Sequence, residues 1–269
     1  MADGSKPVVE PALAAVSYGM RWLLLVLALT GCRQIFGIED PHQGVGADAA
    51  HPGDAKLFYD AHVDALAAPG GCDTSETTLV ACWDFDGNLK DTSPNHLDAS
   101  DPGVVSFQPG KFDRAVDVNG TDVVVAEDTR LDLPAVTIEA WINPKQLPAS
   151  GARMGIVDNN GQYGLFLLAS GVRCASGATL VDLVISVPTS AWTHVACTSD
   201  GLNATVWVGV NKKSGTTTAI PTSGTTGLSL GANNPDGAGT HFDGLLDAIR
   251  LYRGVRADAL ICNDGQASC

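Results

Sequence analysis

GKFDRAVDVNGTDVVVAEDTRLDLPAVTIEAWINP, residues 110–144, carries the clearest β pattern of the chain. Near its end Val136, Ile138, Ala140 and Ile142 alternate with Thr137, Glu139, Trp141 and Asn143. A period of two marks a strand with one buried face. Upstream, Val123-Val124-Val125 is a β-branched run introduced by Asn119-Gly120, and Ala115, Val116 and Val118 form a further apolar segment. Three short strands separated by Gly, Asn, Asp and Pro predict antiparallel β structure.

The same pattern extends outward. Val181, Leu183, Ile185 and Val187 alternate until Pro188 ends the run, and Val206, Val208 and Val210 alternate with Thr205 and Trp207. Val195 and Cys197 face away from Trp192, His194 and Ala196; Leu79, Ala81, Trp83 and Phe85 share one face. Residues 257–262 form at most a short helical turn, and no long amphipathic helix appears. The expected fold is all-β, with two antiparallel sheets burying Val, Ile and Leu between them.

Specific segments sharpen this. Gly110-Lys111-Phe112, Ala115-Val116-Asp117-Val118-Asn119-Gly120 and Val136-Thr137-Ile138-Glu139-Ala140-Trp141-Ile142 resemble the laminin-G-like, concanavalin A-like lectin/glucanase jelly-roll family. Trp83-Asp84-Phe85-Asp86-Gly87 resembles its opening strand, Tyr163-Gly164-Leu165 its middle, and Ala191-Trp192-Thr193-His194-Val195-Ala196 its tryptophan–histidine strand. His241–Tyr252 resembles its closing strand. The resemblance spans roughly residues 79–260 and implies a two-sheet antiparallel jelly-roll sandwich. It implies no single activity, because one fold carries many.

The chain has 269 residues, 45% hydrophobic and 6% aromatic, with a net charge of −14. That suits one β-sandwich of about 190 residues with extensions. An acidic chain without a basic run argues against nucleic-acid binding. Arg21 precedes the apolar run Trp22–Ala28, too short to span a bilayer. The run ends in Leu29-Thr30-Gly31-Cys32, which reads as a lipobox, with Cys32 the lipidated first residue of the mature protein. Met20 makes a better start than Met1, so residues 1–19 are expected to be an upstream gene-calling artefact and 20–31 the lipoprotein signal. Residues 1–31 hold two cations and two acids (Lys6, Arg21, Asp3 and Glu10), so the acidity belongs wholly to the exported part. Residues 32–71, rich in Gly, Ala, Asp and Pro, read as a flexible linker with at most a short helix around Leu57, Phe58 and Val63. The domain is expected over 72–269.

Seven cysteines are an odd number for an exported chain. With Cys32 lipidated, six remain. Their grouping suggests Cys72–Cys82, Cys174–Cys197 and Cys262–Cys269, one of fifteen connectivities. Cys174 and Cys197 can meet if their strands are antiparallel neighbours. A full strand at Val181–Val187 between them would hold them roughly 9–10 Å apart.

The glucanase branch of the resembled family places acid and nucleophile on one strand face. Here Glu139 stands alone between Ile138 and Ala140, Asp243 and Asp247 are four apart, and no nucleophile elbow appears. The sequence therefore points away from catalysis. The resemblance implies calcium as a cofactor, through a carboxylate at Asp247 with backbone oxygens of the opening segment and the Asn-Gly loop, which map to Asp86 and Asn119–Gly120. The alternative for Asp247 is a carboxylate that caps strand-end amides. Trp141 and Trp207 are candidate ligand-binding rings, since an exposed aromatic face stacks on sugars. The favoured reading is a lipid-anchored, exported module, at the bacterial outer membrane or cell surface, that binds glycan or an envelope or extracellular protein. A divergent glycoside-active enzyme and a purely structural envelope module are the alternatives. An acidic pair on a concave face favours the enzyme, an exposed tryptophan platform the binding module, and a face filled by its own loops the structural module.

Overall fold

The computed structural model describes residues 72–101, 105–118, 120–121, 123–234 and 240–269. The signal region, the lipobox with Cys32, the linker to residue 71 and Asn119 all lie outside the described residues. In chain order the strands are β1 (Leu79–Trp83), β2 (Ala99–Ser100), β3 (Ser106–Pro109), β4 (Arg114–Asp117), β5 (Val123–Val125) and β6 (Val136–Pro144). They continue with β7 (Arg153–Asn159), β8 (Tyr163–Leu168), β9 (Gly171–Ser176), β10 (Thr179–Val184), β11 (Thr193–Ser199) and β12 (Asn203–Val208). The last are β13 (Asn211–Thr216), β14 (Leu228–Leu230) and β15 (Gly244–Arg253), followed by the helix α1 (Asp258–Asp264). Among the described residues no helix is long and apolar enough to cross a membrane.

Two antiparallel sheets form the all-β sandwich. Sheet A runs β13-β12-β11-β6-β15-β4-β3, and β1 also pairs with β15. Sheet B runs β10-β9-β8-β7-β14-β5-β2. The opening quoted stretch is split between them: β4 and β6 lie in sheet A, β5 in sheet B. The period-two pattern then decides what is buried. Val136, Ile138, Ala140 and Ile142 enter the core with Leu165, Leu167 and Val172 of sheet B, Leu251 of β15, and Trp83 and Phe85 of the opening segment. The turn between β12 and β13 is Gly209-Val210, with Gly209 at φ 56°, the left-handed geometry that two-residue hairpin turns require.

Disulfides join Cys72 to Cys82, Cys174 to Cys197 and Cys262 to Cys269, as befits an oxidising compartment. The middle bridge is made differently from the arrangement the sequence suggested. Cys174 lies on β9 of sheet B and Cys197 on β11 of sheet A, so the bond crosses the sandwich. β10, which begins the Val181–Val187 run, lies outside β9 at the edge of sheet B and does not intervene. The Cα atoms are 5.3 Å apart, well inside the ~10 Å usual between packed sheets. The sheets converge at this side. Ser176 and Ser199, two residues further along the same strands, share a buried 2.7 Å hydrogen bond. A Cβ on Gly215 of β13 would stand 3.0 Å from Val181 of β10. Closing a loop with a sequence separation of 23 contributes about 3 kcal/mol on the chain-entropy account.

Candidate functional site

The outer face of sheet A carries most of the side chains that the sequence singled out. Register makes a row of His194, Trp141 and Asp247 across β11, β6 and β15. The next row is Trp207, Ala196, Glu139 and Arg250. Alternation along β6, β11 and β12 therefore put Trp141, His194 and Trp207 on one side, as expected.

That side is covered by the chain itself, so the two tryptophans are not the open platform they were expected to provide. Trp141 is 6% exposed and Trp207 1%. Lys111 Nζ sits 4.2 Å above the Trp141 ring, Phe112 meets it edge-on at 6.0 Å, and His194 tilts against it at 5.4 Å. Trp207 packs with Ala196, Ile261 and Cys262 beneath α1, with Lys212 Nζ 4.7 Å from its ring. Lys212 in turn pairs with Asp258 at the start of that helix. Both indole N–H groups are buried without a partner among the described residues. Alternation tells which side of a strand a ring takes; the loop and helix that cover it come from elsewhere in the chain.

Asp247 sits at an irregularity. The β6–β15 register shifts between Asp247 and Arg250, and Ala248 takes φ 45°. A bulge of this kind re-aims side chains and leaves local strain. Asp247 Oδ2 accepts the Phe112 amide at 2.9 Å, while Oδ1 is buried without a hydrogen-bond partner among the described residues. Burial pushes the carboxyl up to about 7, against the amides of Phe112, Lys111 and Ala248 and with the nearby charge of Asp86. The loop lies so close that a Cβ on Gly110 would stand 2.6 Å from Oδ2. A buried, unpaired carboxylate oxygen with a second carboxylate nearby fits the oxygen chemistry of Ca²⁺. Asp86, itself exposed, accepts the Arg114 amide at 3.1 Å and belongs to this neighbourhood. Gly120 stands in an exposed turn with open space where a Cβ would be. The cluster of Cys72, Cys82 and Asp84 is the one group of three potential metal ligands among the described residues, and its cysteines are joined in a disulfide. Beyond the Asp247 row lies a hollow of about 410 Å³ lined by Asp117, Asn143, Lys145 and Ser190. Across it Lys145 pairs with both oxygens of Asp117, at 2.9 and 3.0 Å.

Glu139 is not solitary. Arg256, which sequence reasoning did not single out, donates to Glu139 Oε1 at 2.5 Å, to Asp264 at 2.6 Å and to Glu76 at 2.6 Å. His194 Nε2 lies 3.3 Å from Glu139 Oε2, and Arg250 pairs with Asp264 at 2.9 Å. The Arg256 guanidinium also stacks on Tyr252 at 4.1 Å. Burial alone would raise the Glu139 carboxyl; the His194 hydrogen bond and the charges of His194 and Arg256 outweigh it and hold the group below its ordinary value of 4.5. The network fastens the segment before β1 and the segment after β15 to the middle of sheet A. Between the two pKa values the unfolded chain therefore binds more protons than the folded one. The stabilisation is complete above about 4.5 and is lost as pH falls through the lowered folded value. Glu139→Gln should cost about 1.5–3 kcal/mol at pH 7, since it weakens one buried charge-assisted hydrogen bond while Arg256 keeps Asp264 and Glu76. It should also flatten the acid limb of a stability–pH curve measured by urea unfolding. A variant as stable as wild type at pH 7 would show the network to be idle.

Domain 4 of AbnA, a GH43 extracellular arabinanase from Geobacillus stearothermophilus, superposes with a TM-score of 0.60 at 22% identity, over 70% of this chain and 98% of that one. The binding domain of Paraclostridial Mosquitocidal Protein 1 gives 0.55 at 15%, over 69% and 51%. The binding domain of Botulinum Neurotoxin DC gives 0.53 at 12%, over 69% and 50%. This chain thus spans nearly all of the arabinanase domain and about half of each toxin domain; at these identities the likeness is one of fold. No curated protein matches the sequence. The laminin-G-like family model matches residues 118–262, from the turn before β5 to α1, and the chain belongs to the concanavalin A-like lectin/glucanases superfamily.

Proposed function

We propose that this protein is an exported, lipid-anchored carbohydrate-binding module of the cell envelope. The observation that supports it best is the sandwich itself, which matches almost the full length of an arabinanase domain determined in complex with arabinotriose. The Botulinum Neurotoxin DC binding domain was likewise determined with SialylT, and in another structure with rat synaptotagmin II, so protein ligands also occur on this fold. Glu139, the strand carboxylate most like a glucanase acid by position, is engaged by Arg256 and His194 under the chain's own cover, which disfavours the enzyme reading. Binding of at least one glycan by residues 72–269 on a glycan array is the expected outcome; an array blank with and without calcium would sink the reading.

Calcium belongs to the same proposal. Asp247 Oδ1 would be its protein carboxylate, helped by Asp86 and by backbone oxygens of the opening segment. Bound there, the ion would supply the buried oxygen with its missing partner and fasten the Gly110–Asp113 loop over Trp141. A ligand that binds only the folded state adds about 2.7 kcal/mol at a hundredfold excess over Kd. Calcium should accordingly raise the melting temperature of wild type and leave Asp247→Asn where it was. Identical melting curves in calcium and EDTA would return Asp247 to the role of amide cap.

The lipid anchor is tested at Cys32. Stable anchoring takes two acyl chains or more. Cys32→Ser should move the protein out of the membrane fraction and lower its mass by the lipid. Retention in the membrane with unchanged mass would exclude the lipobox.

A further inference from the structure

The second face of the sandwich differs from the first. On the outer side of sheet B, register aligns Asp158, Gly164, Ala175 and Leu180 across β7, β8, β9 and β10. The Phe166 ring lies over buried Gly164, and beside it Ala175 is the floor of a trough. Gly164 makes room for that ring, since a Cβ there would stand 2.7 Å from it. The neighbouring row raises one wall, where Phe166 carries the Arg153 guanidinium at 4.2 Å on its face. Asn160 and Gln162, in the turn between β7 and β8, make the other, and Asn234 closes an end. The hollow measures about 250 Å³, or ~8 water volumes of ~30 Å³. That is room for one sugar ring, not for a chain of them.

Its polar groups are set but not paired with one another. Asp158 is 4% exposed and accepts the Asn234 amide through Oδ2 at 2.7 Å; its Oδ1 has no hydrogen-bond partner among the described residues. Burial pushes this carboxyl up to about 6, against the Asn234 amide and the Arg153 charge. Arg153 is held by the Phe166 ring and forms no salt bridge among the described residues, so its donor fork stays available. This separates the trough from the hollow on sheet A, where Lys145 and Asp117 satisfy each other.

We infer that the trough on the outer face of sheet B is the carbohydrate site, and that it takes a single terminal ring of a neutral glycan through a pair of adjacent hydroxyls. Sugar hydroxyls both donate and accept. One donates to Asp158 Oδ1, and its lone pairs or those of its neighbour accept from Arg153. The ring's C–H surface lies on Ala175 and on Leu180, whose side chain is half-exposed. One acid and one base leave the site nearly balanced, and the net charge of −14 opposes an anionic sugar. The assignment rests on the glycan-binding reading above and locates it.

The test is calorimetric titration of residues 72–269 with arabinotriose, cellotriose and lactose, and with sialyllactose as the anionic comparison. Wild type should bind at least one neutral sugar and favour it over sialyllactose. Asp158→Asn and Arg153→Ala should each weaken that binding at least tenfold. Ala175→Leu, which fills the floor and touches no polar group, should abolish it. Asn143→Ala, in the hollow on sheet A, should leave it unchanged. Melting curves identify variants that fail by unfolding; for those, protection of the Asp158 and Gly164 amides in wild-type NMR titrations gives the answer instead. Undiminished binding by folded Ala175→Leu and Asp158→Asn overturns the trough while leaving the glycan reading standing. Failure of wild type to bind any sugar here or on the array overturns both.

Discussion

The pairing of β6 with β15 is the constraint on which the rest depends. β15 has β6 along one edge, and β4 and then β1 along the other. The strand that opens the domain, the strand that closes it and the strand at its centre are thereby one unit. The register shift at Asp247 matters because alternation alone would put Asp247 and Arg250, three apart, on opposite faces. The bulge brings both outward, Asp247 opposite Trp141 and Arg250 opposite Glu139. An acid placed under the Gly110–Asp113 loop and a cation placed over Glu139 follow from one backbone irregularity.

Having put charges on that face, the fold must also satisfy them once the face is covered. A buried pair gains little over an apolar replacement, because desolvation offsets the attraction, yet losing one partner is costly. Specificity is what such a network offers. Arg256 reaches Glu139 on β6, Asp264 on α1 and Glu76 ahead of β1, and so ties the segments before β1 and after β15 to the centre of sheet A. The Cys262–Cys269 bridge closes the turn after α1, and Trp207 beneath the helix provides its apolar footing. Polar and apolar terms therefore agree on the same cover.

Alternation was a sound guide to faces and a poor one to covers. Val136, Ile138, Ala140 and Ile142 went inward as their period requires, and Trp141, His194 and Trp207 went outward together. Whether outward means exposed depends on segments remote in sequence. Lys111 and Phe112 lie some thirty residues before Trp141, and Ile261 more than fifty after Trp207. The cysteine pairs followed from sequence proximity, but the order of strands behind Cys174–Cys197 did not, because a local pattern cannot tell a neighbour in the same sheet from one across the sandwich. Arg256 lies past the last alternating strand and so had no period to announce it. Ala175 carries no signal in the sequence; it becomes the floor of a trough once register sets it between Gly164 and Leu180.

The two outer faces then differ for a simple steric reason. The middle rows of sheet A present Trp141, His194, Trp207 and Glu139, large groups that water solvates poorly or that need partners, and the chain supplies a loop and a helix to meet them. The middle of sheet B presents Gly164 and Ala175, with the Phe166 ring folded over the first beneath Arg153, so local side chains cover what is apolar there. The polar groups around them, Asp158 and Arg153, are held in place by the Asn234 amide and the Phe166 ring respectively, without reaching one another. The Cys174–Cys197 bridge ties β9, the strand that carries Ala175, to β11 of the covered sheet. Prior fixing of recognition groups lowers the ordering cost of binding. On the proposed reading, Asp158 and Arg153, set in this way on sheet B, would meet a sugar with little left to order.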